Sequence, residues 1–443
     1  MLTNIYGARC IGISAVPVTV EVEMTSGIGI HLVGLADTAV KESLLRTISA
    51  LRNLNYRIPG RKIVINLAPA DLKKKGSGFD LPIAIGIIAS SGQENIPDAG
   101  NFMMMGELGL DGSVRKVPGA LPIVELASRQ GFRGCILPEE SAREAADYDI
   151  VPVYGVKTLS DVIRILSGDR PEELLTRPDG CQRGTGGAWD DAPDFADVKG
   201  QEGVKRGLET AAAGGNNVIM IGPPGSGKST MARALAGILP PMSLKESMQT
   251  SRIYSVAGLG GERGGLIRKR PFRAPHYSIS AAALTGGGGD FIMPGEVSLA
   301  HNGVLFIDEI LEAPKRVTEA LRGPLEERKV TVSRLRTKVE YPASFMLVAA
   351  TNPCPCGYYG DGDRCRCSPT RRDAYLSRLS GPLMDRIDIH LWVRPVEAGK
   401  LVGGKRGEPS RSIADRVMKA RKIQQERFAS ERIFCNAEMD MRQ

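Results

Sequence analysis

The chain has 443 residues, too many for one ordinary core, so two or three domains are expected. Its 42% hydrophobic and 24% charged content is that of a globular protein, and no apolar run is long enough to span a bilayer. The formal charge of +8 divides unevenly: zero over residues 1–167, −3 over 168–193 and +11 over 194–443. That excess points to a polyanion such as DNA as partner of the C-terminal part, or to a basic surface kept for solubility. Met1–Arg9 lacks the basic-then-apolar pattern of an export signal, so the expected location is the cytoplasm, with no membrane partner.

Residues 1–167 read as one mixed α/β domain. Val18, Val20, Val22 and Met24 alternate with polar residues, as in a half-buried strand. Asp37 is placed to cap a helix whose Val40, Leu44, Ile48 and Leu51 share a face. Lys62–Leu67 is a second strand, and Leu81–Ala89 a buried helix with Pro82 in its first turn. Phe102–Leu108 and Ser113–Val117 flank the turn signal Asp111-Gly112. Two strand–helix pairs follow, around Cys135–Ala146 and Val151–Leu166. Residues 168–193, rich in Gly and Pro, read as a flexible linker. A second domain is expected over 194–395, followed by a shorter segment over 396–443.

The apolar run Val218–Ile221 leads into Gly222-Pro223-Pro224-Gly225-Ser226-Gly227-Lys228-Ser229-Thr230, followed by helix-forming Met231–Ile238. This is the phosphate-binding pattern in its proper setting, a buried strand before it and a helix after it. Glycines let backbone N–H groups wrap a phosphate, with the helix N-terminus behind them. Lys228 would hold the β- and γ-phosphates of ATP, and Ser229 the Mg2+.

Val304–Ile307 ends in Asp308-Glu309, 80 residues after Lys228. Asp308 would support Mg2+ through its water shell, and Glu309 would orient or deprotonate the attacking water. A third apolar strand, Phe345–Ala350, delivers Thr351-Asn352, and an amide there can position the same water. Three such strands describe an open parallel sheet with its site at the C-terminal edge.

Val330–Glu340 alternates like a strand and carries Arg334, Arg336 and Lys338. Such side chains grip phosphates without reading sequence, or protect an exposed edge. Cys354, Cys356, Cys365 and Cys367 fall within 14 residues and can supply four thiolates to one Zn2+; disulfides are the alternative. Arg364, Arg366, Arg371 and Arg372 surround this 354–367 insert. Cys10, Cys135, Cys181 and Cys435 stand apart and read as ordinary thiols.

These three strand ends together resemble AAA+ ATPases. Leu379–Asp388 resembles the arginine-finger motif of the magnesium-chelatase and minichromosome-maintenance branch, which implies Arg386, with Arg378 second, as the group donated across a subunit boundary. Asp37–Ser43, Phe79–Ile83, Arg270–His276, Asn352–Gly357 and Gly381–His390 extend the resemblance to the ComM/YifB group of magnesium-chelatase-like AAA+ proteins. It implies a homo-hexameric, ATP-driven DNA helicase or translocase, promoting branch migration on single-stranded or branched DNA without sequence preference. Its setting would be recombination of incoming DNA during natural transformation. The alternatives are the motor subunit of a metal chelatase and an ATP-dependent protease.

The N-terminal domain resembles the proteolytic domain of Lon proteases, of the ribosomal-S5-type α/β fold. Matching Lys75–Leu81 to the serine motif puts Gly78 at the nucleophile, with Ser77 one residue away, and Leu121 falls at the lysine. A serine without its lysine is a weak nucleophile, so a non-proteolytic scaffold is expected. The resemblance also implies further lid helices carrying a sensor-2 arginine. Only Ser412–Phe428 reads as a clear lid helix before Gln443, so the lid is expected to be incomplete.

Overall fold

The alternation at Val18, Val20 and Val22 becomes a central rib of a sheet in the computed structural model, all three side chains fully buried. The structure describes residues 2–34, 37–74, 76–177, 192–260, 265–288, 292–334, 337–360, 364–395, 406–429, 433 and 435–439. They fall into two compact units, Met1–Arg183 with Ser251–Ile267, and Gly184–Thr250 with Arg268–Gln443. The linear division read from the sequence does not anticipate that 251–267 belongs with the first unit.

The first unit runs β1 (Leu2–Ile11), β2 (Ser14–Thr25), β3 (Gly29–Val33), α1 (Thr38–Asn53), β4 (Lys62–Ala68), α2 (Asp80–Ser91) and β5 (Phe102–Met104). It continues with β6 (Glu107–Leu108), β7 (Val114–Arg115), α3 (Ala120–Arg129), β8 (Gly134–Pro138), α4 (Glu139–Glu144), β9 (Val153–Val156) and α5 (Leu159–Leu166). Seven strands form one mixed sheet in the order β3-β4-β2-β1-β5-β8-β9. β1 and β4 lie antiparallel to β2, and the remaining neighbours are parallel. This is the S5-type α/β arrangement.

Local chemistry accounts for several boundaries. Asp37 accepts from the Val40 N–H at 2.9 Å and starts α1, while Thr158 and Asp161 form a reciprocal capping box on α5. The expected strand Phe102–Leu108 is broken in two. At Gly106 the backbone turns away to pair with Gly78 and Leu81, leaving β6 to form a separate hairpin with β7. Asp80 is fully buried; it receives Arg46 at 3.0 Å and the Leu108 N–H at 3.1 Å, tying α1 and that hairpin to α2. Part of the expected linker is structured: Glu172–Leu174 forms a 3-10 turn and Leu175 bridges to Tyr154. Residues 178–191, including Cys181, lie outside the described residues.

The second unit contains α6 (Glu202–Gly214), β10 (Val218–Ile221), α7 (Lys228–Ile238), β11 (Phe272–Arg273), a small hairpin of β12 (Gly286–Gly287) and β13 (Met293–Pro294), and β14 (Val304–Ile307). Then come β15 (Lys329–Arg334), β16 (Thr337–Pro342), β17 (Met346–Thr351), α8 (Pro369–Leu376), α9 (Gly381–Met384), β18 (Ile389–Trp392) and α10 (Ser410–Arg427). A five-stranded parallel sheet has the order β11-β14-β17-β10-β18. On one face Val218, Met220, Phe306, Val348 and Ala350 pack against Leu208 and Ala212 of α6 and Leu235 of α7. Arg416 holds α10 to α6 through Glu209, at 2.7 and 3.0 Å. Residues 396–405 of the expected lid region lie outside the described residues.

Candidate functional site

β10 delivers the chain into the glycine loop, and the turn is held tightly. Gly222 donates its N–H to the Thr351 carbonyl at 3.1 Å. A side chain at Gly222 would begin 2.3 Å from the Val393 carbonyl oxygen, so only glycine fits there. Gly225 and Gly227 adopt φ of +73° and +86°, the left-handed region that favours glycine. α7 begins at Lys228 itself, three residues earlier than the apolar pattern suggests, so its first N–H groups face the loop.

Lys228 is buried and donates to the Gly222 and Pro223 carbonyls at 2.7 and 2.9 Å. Burial pulls its ammonium below the ordinary lysine value, against Asp308 and Glu309, which raise it. Ser229 Oγ donates to Asp308 Oδ2 at 2.7 Å, and Asp308 Oδ1 receives the Glu309 N–H at 3.0 Å. The pair offers the hydroxyl and carboxylate oxygens that a hard cation such as Mg2+ takes as ligands. Glu309 itself has φ of +50°, a sparsely populated conformation for a non-glycine residue.

Parallel registers set these groups side by side. Ile221 pairs with Thr351, and Ile307 with Ala349, so Gly222, Asp308 and Asn352 leave three adjacent strands at the same edge. Thr351 is buried, and Tyr375 of α8 hydrogen-bonds to its side chain. Burial pushes the Tyr375 phenol up to about 12.

The two arginines expected to act across a boundary are engaged within the chain. Arg386 donates to Glu326 Oε2 and to the Pro382 carbonyl, both at 2.7 Å. Arg378 reaches Glu312 Oε2 at 2.9 Å and the Leu311 carbonyl at 3.2 Å. The sequence reading missed both carboxylates, which sit 60 and 66 residues away with no spacing to flag them. It also missed Asn217. That side chain accepts the Leu347 N–H at 2.8 Å and donates to the Arg386 carbonyl at 2.9 Å. Its own N–H meets Asp388 at 2.7 Å.

The structure brings the four clustered cysteines together. Cys354 Sγ lies 3.3 Å from Cys356 and 3.8 Å from Cys365, and Cys356 lies 3.7 Å from Cys365. All four sulfurs, including that of Cys367, lie within 4.8 Å of one another. A tetrahedron of sulfurs at the zinc–thiolate bond length has edges of about 3.8 Å, so the donor set fits Zn2+. Hydrogen bonding, first from the Tyr358 backbone N–H, draws the Cys356 thiol down to about 6, while the neighbouring Cys365 and Cys367 thiols lie above their ordinary value. Beside them Arg364 lies over the Tyr358 ring and Arg372 over Tyr359, each 4.0 Å from the centroid.

β15 and β16 form an antiparallel hairpin pairing Ser333 with Lys338 and Arg334 with Thr337, and Lys338 is exposed. Arg336 and the side chain of Arg334 lie outside what the structure describes. In the first unit Ser77 donates to the Glu107 carboxylate, while Leu121 is buried in α3. Among the described residues no helix is long and apolar enough to cross a membrane.

A phosphate loop, a serine–aspartate pair and an asparagine at three parallel strand ends define a P-loop ATPase of the AAA+ type. Residues 194–401 match the family described as magnesium chelatase, subunit ChlI, and residues 20–141 that described as subunit ChlI of Mg-chelatase. Competence protein ComM of Haemophilus influenzae is 40% identical over 438 residues, covering 98% of this chain and 85% of that protein. YifB of Salmonella typhimurium is 41% identical over 428 residues, covering 96% and 83%. Lon protease 2 of Bacillus subtilis is 33% identical over 183 residues, covering 36% and 33%. The chain belongs to the ComM/YifB family of magnesium-chelatase-like AAA+ proteins. Membership implies an ATPase working with ATP and Mg2+.

Proposed function

We propose that this chain is an ATP-driven motor on single-stranded or branched DNA, assembled as a homo-hexamer. Its task would be branch migration in recombination of incoming DNA during natural transformation. The observation that carries the ATP half is the Ser229–Asp308 contact beside Lys228 at the sheet edge. Lys228 would release its loop carbonyls to hold the phosphates, and Ser229 and Asp308 would hold Mg2+. Bound Mg2+ would neutralise charge on the phosphate oxygens. Glu309 and Asn352 would orient the attacking water, Glu309 taking its proton. Arg386, or Arg378, would leave its own carboxylate partner to meet the phosphate of a neighbouring subunit.

Three things support the DNA half. The net charge over residues 194–443 is +11, the β15–β16 hairpin carries Arg334 and Lys338 with Arg336 between them in sequence, and a 40%-identical relative is called a competence protein. Sequence-independent phosphate contacts of this kind weaken steeply with salt. Cys354, Cys356, Cys365 and Cys367 would hold a structural Zn2+. The decisive experiment is ATP turnover with and without forked DNA, with Lys228→Ala as control. Stimulation that fades with salt is expected; turnover indifferent to DNA would overturn the motor reading.

A second reading, the motor subunit of a metal chelatase, draws on the matched family's description. Co-purification with a large chelatase subunit would favour it. The contact of Ser77 with a carboxylate, and an apolar Leu121, support the scaffold reading of the first unit over a protease.

A further inference from the structure

The turn that follows the first two cysteines runs beside the phosphate loop. Asn352 directly follows β17, and the first cysteine comes two residues later, so the 354–367 insert grows directly out of the nucleotide site. Cys354 is fully buried, and its carbonyl accepts the Gly357 N–H at 2.9 Å, closing a tight turn. Gly357 stands at φ of +85° with its open side against Pro224 of the glycine loop. A Cβ there would lie 3.0 Å from Pro224 Cδ, 3.1 Å from Cγ and 4.0 Å from Asn352 Cγ. The glycine loop, the strand-end asparagine and the cysteine turn therefore meet at one point.

We infer that metal held by the four cysteines regulates nucleotide affinity, with Gly357 as the positioning residue that transmits metal occupancy to Pro224. This rests on the reading that the cysteines hold zinc. A metal bonded to Cys354 and Cys356 fixes both flanks of the turn. The turn then fixes Gly357 against the proline ring. Pro224 is one of the few loop residues without a backbone N–H to offer a phosphate, so its service is shape. With the metal gone, the turn is left closed by the Cys354–Gly357 hydrogen bond without the cross-link to Cys365 and Cys367, and the wall behind the loop loosens. The glycine loop then spends part of its time in shapes that do not cradle phosphate, which lowers apparent affinity by the fraction lost.

The test uses the full chain and a fluorescent ATP analogue. Bound zinc is first counted by metal analysis, then removed with a chelator and added back. Zinc removal should weaken analogue binding by about tenfold, the size of one ordinary packing defect, and readdition should restore it. Gly357→Ala keeps all four thiols and should keep its zinc, yet weaken binding and raise KM for ATP more than it lowers kcat. If the metal-free chain loses its fold, this variant decides alone. Zinc present, with analogue affinity unmoved by chelation and by Gly357→Ala, overturns the coupling and leaves the zinc reading intact. A chain that binds no zinc overturns the zinc reading and the regulation together.

Discussion

Ser229 and Asp308 are 79 positions apart, and their side chains meet at 2.7 Å because β14 and β10 both flank β17 in parallel register. A hydroxyl on one element and a carboxylate on another thus form a single oxygen pair. Ser229→Ala and Asp308→Asn should each lower Mg2+-dependent turnover by about 10²-fold, as losing a preorganised charge partner does. Doubling the lesion should add little, since both act on one ion. Turnover assays over a Mg2+ series check this, and strictly additive losses would count against it.

Glu309 should separate binding from hydrolysis. Its backbone is in the left-handed region, and its side chain is not needed for the Ser229–Asp308 contact. Glu309→Gln is expected to bind ATP normally and hydrolyse it about 10²–10⁴-fold more slowly, the usual share of a general base. Equilibrium binding beside single-turnover hydrolysis distinguishes this from a folding defect.

Arg386 is expected to act in trans. Arg386→Ala alone should be inactive, and so should Lys228→Ala. Mixed together, the two variants should recover measurable turnover, because some boundaries will join an intact loop to an intact arginine. Failure of every mixture to recover activity would place Arg386 in a structural role with Glu326.

A pH effect follows from His301. It is buried, and its Nδ1 accepts the Ser344 N–H at 3.0 Å. Burial lowers its pKa from 6.5 to about 4, with Glu246 opposing and Arg270 adding to the fall. The folded state therefore binds fewer protons than the unfolded one between these values. Its contribution is whole above pH 6.5 and is lost as pH falls towards 4, a difference of about 3 kcal/mol. With only four histidines in the chain, an NMR titration can follow His301 directly. His301→Gln should flatten this part of the stability curve, and an ordinary titration near pH 6.5 would refute the assignment.

What the sequence made legible was local. The glycine loop, the strand ending in Asp308-Glu309 and the Asp37 cap each announce themselves within a few residues, because their chemistry acts over a few residues. The four cysteines were legible for the same reason. Glu326, Glu312 and Asn217 were not, since their contacts span 60 to 171 positions and obey no period. The break between β5 and β6 was hidden too, because it depends on the Gly78 and Leu81 backbone reaching Gly106. The contact of Gly357 with Pro224 leaves no trace in composition, as it needs an empty side rather than a side chain.

In the hexamer proposed above, Asn217 would have one consequence. Its amide joins the Arg386 carbonyl to the residue just before β10, the strand that feeds the glycine loop. An arginine drawn towards a neighbour's phosphate would pull on its own subunit's loop through this short lever. Each subunit would then feel the state of the next through a rigid linkage, and firing could pass round the ring in sequence. Asn217→Ala would cut the lever and leave every catalytic group in place, giving subunits that still hydrolyse ATP but no longer keep time with one another.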